Sequence, residues 1–206
     1  MFTALLITAL IGIIGGAAFL GVRNARSGQL SSKPELKQLT DGGDKLLVRT
    51  VRDLRVGDVI SHDAREYVVE GLIQYDEAGH RWLAGRLVDV DAVKWLLVGM
   101  ERVGADTVRI ADVAELDVSG YPPETMVVDG TRYNLDKRGT ATAKASGETD
   151  VIGSGNLSSD SVHRCRWWQY EGTGGKCLIV EQWGDDFRTL RGETIRISDL
   201  DMLPGS

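Results

Sequence analysis

Phe2 to Val22 read FTALLITALIGIIGGAAFLGV, 21 residues without a charge and with no polar side chain stronger than Thr3 and Thr8. A helix of this length, rising about 1.5 Å per residue, spans about 30 Å, which is the thickness of a bilayer core. A cleaved signal peptide would place a basic stretch before the apolar run and a small-x-small site after it. The basic stretch is missing, no convincing small-x-small site follows the run, and no lipobox cysteine follows. The run therefore predicts a permanent single-pass anchor over residues 1–22, in contact with the membrane through residues 2–22. Arg23, Arg26, Lys33 and Lys37 follow the run, and only the terminal amine precedes it. Basic flanks stay on the cytoplasmic side, so the C-terminal part is expected in the cytoplasm, tethered to the cell membrane. Gly12 and Gly16 form a GxxxG pair, the spacing that lets two membrane helices approach closely. They are the candidate residues for helix association and for a homo-oligomer.

Residues 23–47 read as a linker, rich in Ser, Gly and charge and interrupted by Pro34. Charge divides at this boundary. Residues 1–47 hold five basic and three acidic side chains, and the remainder holds 19 basic and 27 acidic. A soluble part with a net charge of −8 is a poor partner for nucleic acid, which needs clustered Lys and Arg.

From residue 48 onward, short apolar runs alternate with turn residues. REYVVEGLIQYD sets Tyr67, Val69, Ile73 and Tyr75 at even spacing, as on one face of a strand. HRWLAGRLVDV, VKWLLVGME and TVRIADV continue the pattern, and AGH (78–80) is short enough for a hairpin. The second half repeats the order. TRY (131–133) answers REY (65–67), RCRWWQYEG (164–172) answers HRWLAGRL (80–87), KCLIVEQWG (176–184) answers KWLLVGM (94–100), and IRISDLDML (195–203) answers VRIADVAEL (108–116). The reading is an all-β, mainly antiparallel fold of two repeats, residues 48–118 and 126–206. They meet at a proline-bearing seam, 119–125, and form either two small barrels or one sandwich or barrel.

All five tryptophans lie on the matched runs. Core packing accounts for most such rings. Trp167 and Trp168 are adjacent on a strand and must face opposite sides, so one of them lies either outside the main core or between two sheets. With Trp183 and Tyr170 they form the candidate binding surface.

The run DLRVGDVISHDAREYVVEGLI, followed by RWLAGRL and KWLLVGME, resembles the bacterial domain-of-unknown-function 4178 family. TRYNLDKRGTATAKASG, RWWQYEG, LIVEQWGDD and GETIRISDLDML fit the same pattern, so the resemblance covers about residues 50–203. It implies no catalytic activity and no catalytic residues. It implies a setting among membrane-stress and small membrane proteins.

No GxSxG, HExxH, Walker A or dinucleotide fingerprint occurs. If RCRWWQYE and KCLIVEQW form a hairpin around GTGG (172–175), Tyr170 faces Cys177, and Cys165 lies about 17 Å further along. That exceeds the roughly 7 Å a disulfide allows, so two separate buried thiols are expected. His62, His80 and His163 sit near strand ends and read as solvated. Glu181, Asp185 and Asp186 in EQWGDD read as a turn with a solvated acidic edge, and an unrecognised carboxylate enzyme is the third-ranked reading. KASGETDVIGSGNLSSDSVH (144–163) is a long polar insert read as mobile. No cofactor or metal is expected. The leading expectation is a membrane-anchored, cytoplasm-facing, non-catalytic module that binds a protein partner, and the alternative is a small-molecule or lipid-binding β-barrel.

Overall fold

The computed structural model describes residues 49–102, 107–151 and 161–205. The anchor, the linker, Gly12 and Gly16, and residues 152–160 of the polar insert lie outside the described residues, while residues 144–147 of that insert, expected to be mobile, are part of a strand. Among the described residues, no helix is long and apolar enough to cross a membrane.

Among the described residues, eleven strands form one antiparallel sheet: β1 (Val59–His62), β2 (Arg65–Glu77), β3 (His80–Asp89), β4 (Ala92–Val98), β5 (Thr107–Val113), β6 (Thr125–Val128), β7 (Thr131–Gly147), β8 (His163–Gly172), β9 (Lys176–Trp183), β10 (Asp186–Arg196) and β11 (Asp201–Leu203). Their order is β11-β1-β2-β3-β4-β5-β10-β9-β8-β7-β6, and β2 also pairs with β7. That last pairing closes strands β2–β5 and β7–β10 into one eight-stranded barrel, with β1, β11 and β6 as extensions. Of the two arrangements the sequence leaves open, a single barrel is the one formed. Closure satisfies the backbone groups that an open edge would expose.

Turn chemistry sets the hairpins. Asp63 and Ala64 link β1 to β2, Ala78 and Gly79 link β2 to β3, and Asp129 and Gly130 link β6 to β7, all with positive φ. Two consecutive left-handed residues make the primed turn whose twist matches a strand pair.

The barrel interior is packed. Ile73, Tyr75, Trp82, Trp95, Leu97, Trp167, Ile179, Trp183 and Leu190 form its centre, with Ala111, Ala141, Ala143 and Ala145 where the walls come close. Arg188 and Glu181 are buried within it. Glu181 accepts hydrogen bonds from Tyr75 Oη (2.9 Å), Trp183 Nε1 (3.1 Å) and Arg188 Nε (2.9 Å), and the Arg188 guanidinium lies 4.0 Å from the Trp95 ring centroid. Burial, then the charge of Glu181, pushes the Tyr75 phenol well above its ordinary value.

Two further cores lie on the outer wall. Val51, Leu54, Ile60, Tyr67, Val69, Leu72, Leu96 and Leu200 pack over β2–β5. Val128, Tyr133, Trp168, Tyr170, Leu178 and Val180 pack over β7–β9, joined by Leu116 and Val118 from the β5–β6 connection. Bulges make these clusters possible. Register shifts between Val69 and Gly71 in β2, and between Leu135 and Lys137 in β7. An extra residue turns every later side chain to the opposite face. Tyr67 and Val69 therefore face the outer core, while Ile73 and Tyr75 face the interior, which corrects the single face that the alternation predicts.

Candidate functional site

The two bulged strands bring a matched pair of tyrosines to one groove. Tyr67 follows the β1–β2 turn, and Tyr133 follows the β6–β7 turn. Each is three residues ahead of its bulge. Both line a groove of about 530 Å³ whose floor is the β5–β10 seam and whose walls include the two turns. Both tyrosines are only 2% exposed, and neither hydroxyl has a hydrogen-bond partner among the described residues. Burial pushes the Tyr133 phenol above 10.0, against the pull of Arg191.

Charged side chains surround the two phenols. Lys94 Nζ lies 2.9 Å from Asp112 across β4 and β5, and Arg191 pairs with Asp129. Arg65 reaches Asp91 at 3.4 Å. Lys176 donates to Thr131 Oγ1 at 3.3 Å and makes no ion pair among the described residues. His62 Nδ1 lies 3.6 Å from Asp63. Neither Ser nor Cys lines the groove. The arrangement offers phenol and ammonium donors with paired charges of both signs, the chemistry of recognition for a polar ligand.

A second polar cluster is built from Glu101, which follows β4, Arg109 of β5, Asp136 and Lys137 of β7, and Gln169 and Glu171 of β8. Oxygens of Glu101, Asp136 and Glu171 lie within 4.8 Å of one another. Arg109 Nη2 donates to Glu101 at 2.5 Å and to Glu171 at 2.9 Å, Lys137 bonds Glu101, and Gln169 Nε2 reaches all three carboxylates. Burial raises the Glu101 carboxyl, but hydrogen bonds from Lys137, Gln169 and Arg109 outweigh it and bring the pKa down to about 2. With its oxygens held by these cations, the cluster is an ion-pair network.

The residues singled out in the sequence are distributed differently. Trp167 and Trp183 point into the barrel, and Trp168 and Tyr170 into the outer core over β7–β9. The opposed facing of Trp167 and Trp168 follows from their adjacency, but all four side chains are buried. Tyr170 Oη is occupied by the Pro123 carbonyl at 2.8 Å. The EQWGDD carboxylates separate: Glu181 shares inward parity with Ile179 and Trp183, while Asp185 in the turn and Asp186 at the start of β10 are exposed. Glu181 therefore does not belong to a solvated edge. Both cysteines are free and buried. Cys177 faces Glu171 and not Tyr170, because the 3₁₀ turn Thr173–Gly175 sets the register one residue from the simple hairpin. His62 is also buried, His80 Nε2 lies 3.3 Å from the Met100 carbonyl, and His163 Nε2 lies 2.6 Å from Ser161 Oγ. The solvated reading of the histidines thus fails for His62. The groove has no signal in the sequence beyond the paired REY and TRY runs and the Asp-Gly turn.

Fold and site together define an antiparallel eight-stranded closed barrel with a filled interior and a polar groove on its outer wall. Residues 55–196 match the family described as Domain of unknown function (DUF4178), and the chain belongs to that family. No curated protein matches the chain, and no solved structure does.

Proposed function

We propose that this protein is a non-catalytic binding module, held at the cell membrane by residues 2–22 with its barrel in the cytoplasm, and that the groove over the β5–β10 seam receives a protein partner. The observation that carries this reading is the pair of buried tyrosines, Tyr67 and Tyr133, whose unpartnered hydroxyls line one groove. A packed interior of aromatic and aliphatic side chains favours the outer wall over the lumen as the ligand surface. Tyr and Arg, both present in the groove, are residue types enriched where proteins meet. Gly12 and Gly16 supply a helix-pairing surface within the anchor, which fits a homo-oligomeric scaffold.

The test is affinity capture of the full-length protein from membranes, beside the Tyr67→Phe/Tyr133→Phe/Lys176→Ala variant and a chain lacking residues 1–45. A partner recovered with the native protein should fall about tenfold with the triple variant, since hot-spot groups dominate recognition. Equal recovery would remove the groove from the mechanism. The shortened chain should leave the membrane fraction, and its retention there would remove the anchor.

A further inference from the structure

Beyond its bulge, β7 runs beside β8 with one face turned outward. Ala141, Ala143, Cys165 and Trp167 take the inward positions. The outward positions carry Arg138, Lys144, Arg164 and Arg166, all exposed. This is a basic face on a domain with net charge −8. Register places Arg166 beside Thr140 and Arg164 beside Thr142. Two adjoining depressions, of about 610 and 460 Å³, share Thr140 and Arg164.

These cations are under-used. Arg164 and Lys144 make neither hydrogen bond nor ion pair among the described residues. Arg166 donates only to Gln182 Oε1, at 3.3 Å. Arg138 alone has a carboxylate, Glu124, at 3.2 Å between two exposed side chains. A pair of that kind is worth little. Next to them stands Tyr121, 57% exposed. Its ring meets Trp168 edge-on at 5.5 Å, and the Arg138 and Arg166 guanidiniums each lie 5.6 Å from its centroid. The buried Trp168 thus holds an exposed tyrosine between two arginines, so little side-chain entropy remains to be lost on binding.

We propose that this face docks an extended acidic segment of a protein partner, its carboxylates on Arg164 and Arg166 and an apolar side chain against Tyr121. Guanidinium and carboxylate match as forks. Tyr and Arg dominate interface hot spots. Exposed Asp185 and Asp186, next to Gly184 at the β9–β10 turn and the start of β10, set an acidic limit at one end of the face. With the acidity of the whole domain, they disfavour a dense polyanion and suit a segment with a few carboxylates. The proposal rests on the reading of the domain as a binding module, and it concerns a different face from the groove.

The experiment uses full-length protein in nanodiscs and a fluorescein-labelled peptide of alternating glutamate and phenylalanine, followed by anisotropy. A lysine–phenylalanine peptide, phosphatidylglycerol vesicles and polyuridylate serve as competitors. The acidic peptide should bind with salt-sensitive affinity. That affinity should drop about tenfold in Arg164→Glu/Arg166→Glu and about threefold in Tyr121→Ala. Arg164→Gln/Arg166→Gln should give an intermediate loss, with the circular dichroism of the native protein. Unchanged affinity in both double variants would overturn the proposal, as would stronger competition by vesicles or polyuridylate than by unlabelled peptide. Loss in Tyr67→Phe/Tyr133→Phe with retention in Arg164→Glu/Arg166→Glu would move binding to the groove, ending this proposal while the module reading stands.

Discussion

Asp58 shows how one carboxylate joins the two ends of the domain. It is 1% exposed and accepts from Arg49 Nη1 (3.0 Å) and Nη2 (2.5 Å), from the Arg55 amide (2.7 Å) and from the Gly205 amide (2.8 Å). Gly57, at φ 92°, allows the turn that points it there. This is the physical content of the VGD run that opens the family resemblance. Burial raises the Asp58 carboxyl, but the hydrogen bonds from Arg49, Gly205 and Arg55 prevail and hold it below 3.8. Asp58→Ala should cost about 3 kcal/mol, because it strands a guanidinium and two amides. The sign with pH follows from the lowered folded-state value. The contribution is whole above about pH 5, where the unfolded carboxyl is already ionised, and it is lost as pH falls through the folded-state pKa. Urea midpoints of native and variant protein should therefore converge on acidification, and a constant gap down to pH 2 would refute this account of Asp58.

At the scale of elements, the β5–β10 pair is where the two halves meet beneath the groove. Gly192 lies opposite Ala111, and a Cβ there would come 1.9 Å from the Ile110 carbonyl oxygen and 2.5 Å from Ala111 Cα. Both obstacles are backbone, so the strands themselves would have to part. Gly192→Ala is expected to lower stability by about 3 kcal/mol, the upper end for overpacking, with slower-protected amides along β5 and β10 exchanging faster. A native-like denaturation midpoint would show that the seam has slack. Element identity was largely legible from alternation and turn chemistry. The bulges were not, since an extra residue leaves no mark in a run such as REYVVEGLIQYD, where both faces of the strand are apolar somewhere along its length. Missing them hid the outer cores, and with them the groove. The fourth matched pair of runs illustrates the same limit. VRIADV lies on β5, but IRISDLDML starts at the end of β10 and passes through a 3₁₀ turn into β11.

For the whole molecule, closure is the decisive event. β2 pairs with β7 and β5 with β10, so each half supplies four walls of one interior. Neither half alone can cover Trp82, Trp95, Trp167 and Trp183. Residues 48–118 and 119–206 made separately should show no near-ultraviolet dichroism, and should regain it on mixing. A half that folds alone would contradict the dependence on closure. The sequence by itself determined the strand content, the antiparallel hairpins, the opposite facing of Trp167 and Trp168, and the family, because period, turn residues and local order are written along the chain. Only the tertiary structure decided that the halves form one barrel, that the candidate aromatic surface is interior and outer core, and that Tyr67 and Tyr133 share a groove. Those outcomes depend on pairings between residues more than 60 positions apart, such as Ile73 with Ala145 and Ile110 with Glu193. Their free energy comes from burial that no local pattern specifies.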